Sequence, residues 1–518
     1  MTNNSRVKNS LKNISNSLMS QIISLIANFV VRTIFIKYLG EEYLGVNGLF
    51  TNILSILSLA ELGFGSAMIY NMYKPLAENN IKKLQAIMNL YKKVYIYIGI
   101  FVGVIGLCII PFMDYIIKSK PNIDDNIILI YIMFLLNSVL SYFFAYKKSI
   151  LTADQKEYIS SQYRYVFTLM KSIAQVVTLS IFKNFILYLL IQIVFTILEN
   201  IFISKKVNEI YPFLTSKNNE TLSDYELKDI IKDVKALIIA KFGNVMLNGT
   251  DDIIISSFVG IQSVGMISNY NLIVGSVIMV VSQIVSGLTG SIGNFIAHQG
   301  KKQSFKLFKK VDFLNFWIYG FATICLCILS NPFIELWIGE SYIVSQNTVN
   351  IIAINFYISG MTSMLWMFRS TMGLFTKGKY RPIICALLNI LISIILGRYI
   401  GLIGVLLGTT ISRLLTNLCF DPYVIYEYGF KENVKSYYIS HVCKLILMIF
   451  IYLSIDLAKN IIFSGGVTMI GFILLMMLCT ILPNVIFIVI YKRSDEFKYI
   501  LNLIKPAVVK LKNKIALT

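Results

Sequence analysis

The chain has 518 residues, 56% of them hydrophobic and 14% charged, against roughly a quarter charged in an ordinary soluble domain. Apolar runs of about 20 residues recur from end to end, so the composition excludes both a water-soluble globule and a single anchor with a soluble head. The net charge of +20 does not point to nucleic acid, because most Lys and Arg fall in short connectors between apolar runs, where they report membrane orientation.

The polar, basic start MTNNSRVKNSLKNISNS leads into the first apolar run without an A-x-A-like site, so this helix is expected to be retained. Hydropathy then divides the chain into about fourteen helices, at 13–36, 45–70, 86–112, 125–147, 162–182, 185–204, 236–258, 264–297, 310–331, 344–369, 381–398, 401–425, 437–457 and 466–491. Very short connectors make 162–204 and 381–425 tight helical hairpins. Helix 264–297 carries Gly275, Gly287, Gly290 and Gly293, which predicts a bend or close packing against a neighbour. The connector 205–235 holds Ser223 and Glu226 at capping-box spacing. Leu227, Ile230, Ile231, Val234 and Leu237 follow at helical intervals, the pattern of an amphipathic interfacial helix joining two halves.

Alternating the connectors puts roughly 36 of the 47 Lys and Arg on the side of the N-terminus and leaves Lys37, Lys118, Lys120, Lys183, Arg398 and Lys459 opposite, so both termini are expected to be cytoplasmic. Reporter fusions at Lys118 or Gly339 should then read outside and those at Lys217 or Lys301 inside; the reverse pattern at two sites overturns the orientation. The seven cysteines lie in apolar runs without C-x-x-C pairs and are expected to be reduced and buried. His298 and His441 are too few and too far apart for a metal site or a catalytic triad, and the sequence assigns no catalytic or metal-ligating residue.

A shift of about 220 positions lays LGEEYLGVNG at 39–48 over VGIQSVGMIS at 259–268, with Gly40 on Gly260 and Gly45 on Gly265. At nearly the same shift LYKKV at 90–94 meets LFKKV at 307–311. The two coincidences predict an internal duplication with parallel repeats about an axis along the membrane normal. The expected organisation is an N-lobe at 1–204, a cytoplasmic linker at 205–235, a C-lobe at 236–425, and two further helices with a basic tail at 426–518. Each glycine pair lies in an outer connector, where a tight turn needs φ values that other residues resist.

Two pseudo-symmetric six-helix lobes with two C-terminal helices, in an all-α polytopic membrane protein, resemble the multidrug/oligosaccharidyl-lipid/polysaccharide exporter superfamily. FIKYLGEEYLGVNGLFTNILSILSLAELGFGSAMIYNMYKPLAENN at 35–80, DDIIISSFVGIQSVGMISNYN at 251–271 and ALLNILISIILGRYIGLIGVLLGTTISRL at 386–414 look like its polysaccharide-transport branch, the Wzx-like flippases. The resemblance implies a multi-pass protein of the cytoplasmic membrane, without a cofactor, that moves a polyprenyl-pyrophosphate-linked oligosaccharide to the outer leaflet. It also implies the lipid bilayer and polysaccharide polymerase or assembly proteins as partners, and leaves H⁺ or Na⁺ coupling open.

An ionisable residue at mid-helix costs roughly 2.5–3.5 kcal/mol on insertion scales, so its retention calls for a partner, water or a function. Arg32, Glu61, Lys241, Asp251, Asp252 and Arg413 occupy such positions. The offset that aligns the glycines puts Arg32 opposite Asp252, on equivalent turns of the first helix of each lobe. A guanidinium binds pyrophosphate oxygens bidentately, so Arg32 is expected to capture the headgroup with Asp252 as its counter-charge, or to form a structural ion pair with it. Lys241 and Arg413 would extend a basic track. Glu61, in LSLAELGFG, is expected to pair with Arg32 or to bind H⁺ or Na⁺, and Asp251 adds a second acidic group. Lys171, Glu199 and Asp421 fall near helix ends, where they would snorkel. A cation-coupled multidrug exporter would favour acidic, aromatic-lined pockets instead. A polyprenyl-dependent membrane glycosyltransferase would use Asp124-Asp125, but the outer connectors are too short for a large catalytic loop.

Overall fold

The computed structural model describes residues 3–501 except 62–63, 118–120, 155, 217–219, 299, 375–376, 379, 464–466 and 500, and the side chains of 3–20, 235–248 and 283–291 are among those outside the described set. The chain divides into two compact units, Met1–Ser268 and Asn269–Thr518. The first holds α1 (Asn3–Leu57), α2 (Phe64–Ala77), α3 (Ile81–Ile109), α4 (Met113–Ile116), α5 (Ile127–Ala145), α6 (Lys148–Ala153), α7 (Glu157–Phe182), α8 (Phe185–Ile210), α9 (Asp224–Phe258) and the start of α10 (Ile261–His298). The second holds the rest of α10 with α11 (Lys301–Ile338), α12 (Gln346–Thr371), α13 (Arg381–Arg413), α14 (Cys419–Val424), α15 (Lys435–Ile462) and α16 (Met469–Tyr491). No strand occurs among the described residues, and ten of their helical stretches are long and apolar enough to cross a membrane. The protein is an all-α, multi-pass membrane protein.

Among the described residues the apolar runs fall largely on helix, with departures at their ends and, at 45–70, inside the run. Gly40, with φ of 82°, breaks α1 into two spans, and Ile400–Gly401 breaks α13 in the same way. The run at 45–70 is not one helix. It ends at Leu57, passes through a 3₁₀ turn at Ser58–Glu61 and resumes as α2. The hairpin at 182–185 is as tight as expected, with Lys183 left-handed at φ 50° and the Asn184 side chain accepting from the Leu187 amide at 2.9 Å.

Lipid explains the surface. On α3, Tyr97, Ile100, Phe101, Val104 and Leu107 are exposed, while Tyr95, Ile98, Gly99, Val102 and Gly106 are buried. These two sets follow the helical repeat, so one apolar face packs inward and the other needs a hydrocarbon solvent. The same solvent accounts for a departure from expectation among the thiols, since Cys108, Cys419 and Cys443 are exposed rather than buried. In the second unit, Phe313, Phe316, Ile324 and Ile328 of α11 pack with Phe356 and Met361 of α12, Ile451 of α15 and Phe487 of α16.

The linker helix also differs from expectation. Ser223 and Glu226 form the full capping box, but the helix they start runs unbroken to Phe258, so the interfacial helix and the seventh span are one element of 35 residues. No proline or left-handed residue lies between Asp224 and Phe258 to stop it. Its first turn is tied to α3 by Lys83, whose ammonium lies 2.6 Å from Glu226. The hydrogen bond from Lys83, with those from Ser223, lowers the Glu226 carboxyl from its ordinary 4.5 to about 2. A depressed acid stabilises the fold above its unfolded value and loses that contribution as pH falls through the folded one. Protection of the first-turn amides of α9, relative to their intrinsic exchange rates, should therefore fall between pH 4.5 and 2, and Glu226→Gln should show the lower protection already at pH 7; pH-independent protection would contradict the contact.

Candidate functional site

The segments that carried the repeat pack against each other inside the first unit, and glycine makes the contact possible. A Cβ on Gly45 would collide with the Ile261 carbonyl oxygen, and a Cβ on Gly265 with the Glu41 carbonyl oxygen. The relation is reciprocal, each glycine facing the carbonyl four residues before the other. Gly40 and Gly260, by contrast, have open space around them and positive φ, 82° and 138°. One glycine pair serves the turn and the other the close approach. The Gln262 amide donates to Glu41, and Gly249 brings α9 against Ile56.

Arg32 and Asp252 flank this seam without meeting. The half-buried Arg32 donates from Nη1 to the Ser268 hydroxyl at 3.1 Å and lies beside Tyr188 of α8. Asp252 is buried and accepts from the Asn52 side chain. Among the described residues no ion pair joins Arg32 to Asp252 or to Glu61. The reason is geometric: two positions at the same place in each repeat lie beside the other repeat's second segment, not beside each other. Asp251 lies half-buried next to Asp252. Glu61 takes the Tyr95 hydroxyl instead of Arg32, and Tyr95 lies 3.3 Å from the Tyr91 hydroxyl, which accepts from Ser149 at 2.8 Å. Glu61 thus ends a chain of neutral hydroxyls. The side chain of Lys241 lies outside the described residues.

Arg413 belongs to the second unit, where it donates to the Asn355 carbonyl at 3.3 Å, and Thr410 holds the Asn355 side chain at 2.9 Å. It does not share a site with Arg32 within either unit. Asp125 of the outer acidic pair accepts from Tyr43 at 2.8 Å.

Two buried charge clusters in the second unit escaped the sequence reading. Asp421 does not snorkel. It is fully buried, with Arg369 Nη1 at 2.7 Å on one carboxylate oxygen and Arg381 on the other. Arg369, 1% exposed, also donates through Nε to the Leu374 carbonyl at 3.1 Å. π-Helical turns at Leu414–Leu418 and Ile425–Phe430 flank Asp421; extra residues in a helix re-aim side chains in this way. The second cluster joins α11 to α15: Asp312 lies 2.6 Å from Lys444 and 3.2 Å from His441 Nε2. His441 and Lys444 stand three residues apart on one helical face, a spacing legible in the sequence, but only the fold supplies Asp312. Glu199 pairs with Lys148 at 3.2 Å.

No family model matches the sequence, and no curated protein matches it. Solved structures do. The lipid II flippase MurJ in an inward closed conformation superposes with a TM-score of 0.65 at 16% identity, covering 93% of this chain and 98% of that one. An inward-facing multidrug resistance MATE family transporter of the MOP superfamily gives 0.60 at 14% identity, over 79% of this chain and 96% of that one. The Vibrio cholerae MATE transporter VcmN in its bent form gives 0.52 at 14% identity, over 83% and 98%. At these identities the likeness is one of fold: the chain is a multi-pass helical membrane protein whose fold is similar to that of these solved structures.

Proposed function

We propose that this protein is a flippase that carries a polyprenyl-pyrophosphate-linked oligosaccharide from the inner to the outer leaflet, with Arg32 as the residue that captures the headgroup. The supporting observation is the company Arg32 keeps. It sits in an apolar helix with a serine hydroxyl and a tyrosine beside it, and among the described residues no carboxylate pairs with it. A guanidinium held within a membrane helix without a counter-ion is costly, and a pyrophosphate would supply the missing charge to a fork that binds its oxygens bidentately. The fold shared with a lipid II flippase is consistent with a lipid-linked substrate. Arg413 and Lys241 are proposed as secondary basic contacts, with both termini cytoplasmic and the two sequence repeats as the parts that rock. The seam of Gly45 and Gly265 is then a contact that must open during the cycle. The headgroup would cross through a hydrated cleft while the polyprenyl chain stays in lipid, so no covalent chemistry and no cofactor are required.

A second reading, a cation-coupled multidrug exporter, is favoured by the neutral partners of Glu61 and Asp252. Carboxylates held by hydroxyl and amide groups rather than by lysine or arginine are free to exchange H⁺ or Na⁺. Proteoliposomes separate the two. Headgroup accessibility of lipid-linked oligosaccharide on both faces, with and without the protein, should equilibrate faster with it. Accelerated cationic-drug efflux with no change in headgroup accessibility would reject the flippase in favour of the exporter.

A further inference from the structure

A cavity of about 340 Å³ opens in the first unit where the start of α3, the junction of α5 and α6, the last turn of α8 and the turn at 211–216 meet. Its polar lining includes Gln85, Asn89, Lys92, Lys147, Asn208 and Ser216, with no carboxylate among its lining residues. The wall is built by amide side chains. Gln85 Nε2 donates to the Phe213 carbonyl at 2.7 Å and to the Ser216 hydroxyl at 3.0 Å, and Asn89 Nδ2 donates to the Glu220 carbonyl at 3.1 Å. Lys147 is oriented by Asn208, its Nζ 3.0 Å from Oδ1.

Three lysines nearby are neutralised by carboxylates. Lys83 holds Glu226 at 2.6 Å, Lys148 holds Glu199 at 3.2 Å and Lys156 holds Asp154 at 2.7 Å. Lys92 and Lys147 form no ion pair among the described residues, yet both face one cavity. Burial holds the Lys147 ammonium below its usual range, and the nearby Lys92 charge adds to the effect. Two cations converging on a hollow whose other polar groups are amides and hydroxyls are unfavourable when alone and favourable around a dianion. A phosphate group carries about −1.5 to −2 charge near neutral pH and offers three acceptor oxygens, which lysine meets as a point charge.

We propose that this cavity is a phosphate-binding site, separate from the residues of the transport path. Its position where the apolar stretch of α3 begins admits two carriers of the same chemistry, the headgroup of an anionic lipid or a phosphate free in solution. The full-length protein in phosphatidylcholine nanodiscs is titrated with inorganic phosphate, and the thermal unfolding midpoint is read. A saturable rise is expected, with the apparent Kd weakened about tenfold by Lys92→Gln and by Lys147→Gln and unchanged by Lys301→Gln. Lys92 is exposed, so its replacement leaves the fold intact even if that of Lys147 does not. In nanodiscs containing phosphatidylglycerol, a midpoint already raised in a Lys92-dependent way, with no further response to phosphate, assigns the lipid headgroup. An unraised midpoint with the full phosphate response assigns the free anion. No Lys92-dependent rise with either probe overturns the proposal.

Discussion

Asp421→Asn should cost about 3–5 kcal/mol of stability, the usual consequence of leaving a buried charge without its partner. Here two guanidinium groups are left, one of them fully enclosed. The expected reading is a large fall in the thermal midpoint of the purified protein and loss of most membrane-inserted material. The arrangement makes a second, less obvious claim. Arg381→Gln removes the excess positive charge and keeps the neutral Arg369–Asp421 pair, so it should be mild, within about 1 kcal/mol. Arg369→Met and Arg381→Met combined with Asp421→Leu should recover much of what Asp421→Asn loses, because buried ionic clusters replaced whole by apolar groups of similar volume are often neutral. An Asp421→Asn protein that melts with the parent would show that the cluster does not hold α12, α13 and α14 together.

Arg32 should behave in the opposite way, with a large effect on transport and a small one on stability. Its partner, Ser268, also donates to the Gly265 carbonyl at 2.7 Å, so truncating Arg32 orphans no carboxylate and leaves the hydroxyl bonded. Arg32→Ala and Arg32→Lys should therefore express and melt like the parent while lipid-linked sugar translocation falls at least about tenfold, the worth of a charge-assisted bidentate contact that a compact ammonium does not reproduce. Because Asp252 is held by Asn52, Arg32→Ala and Asp252→Asn should add in stability rather than compensate. A folded Arg32→Ala protein that translocates at the parent rate would eliminate the capture role and pass it to Arg413 or Lys241.

The contrast between these two arginines also marks what a single sequence makes legible. Membrane insertion imposes length and apolarity on each span separately, so the positions of the helices could be read, and Gly40 could be read as a turn because backbone sterics act within one residue. Pairing is different. Asp421 and Arg369 are 52 residues apart and Asp312 and Lys444 are 132 apart, and no local pattern carries such relations. Arg32 stands out in the sequence because its oddness is local, an arginine in an apolar helix. The expected ion pair with Asp252 does not form because equal positions in two repeats need not be near each other. Where the local rule was mild, as at the junction of the linker and the seventh span, the expected break did not form.

The reciprocal fit of Gly45 on Ile261 and Gly265 on Glu41 constrains how this chain evolves. Where these two segments press backbone against backbone, neither can accept a side chain at the crossing unless the other withdraws. The two coding stretches that form the seam, about 220 codons apart, are therefore bound to drift in step. Chimaeras that join the first two hundred residues of one relative to the remainder of another should fail at this crossing first, and the variants that rescue them should map to it, in whichever half was not exchanged.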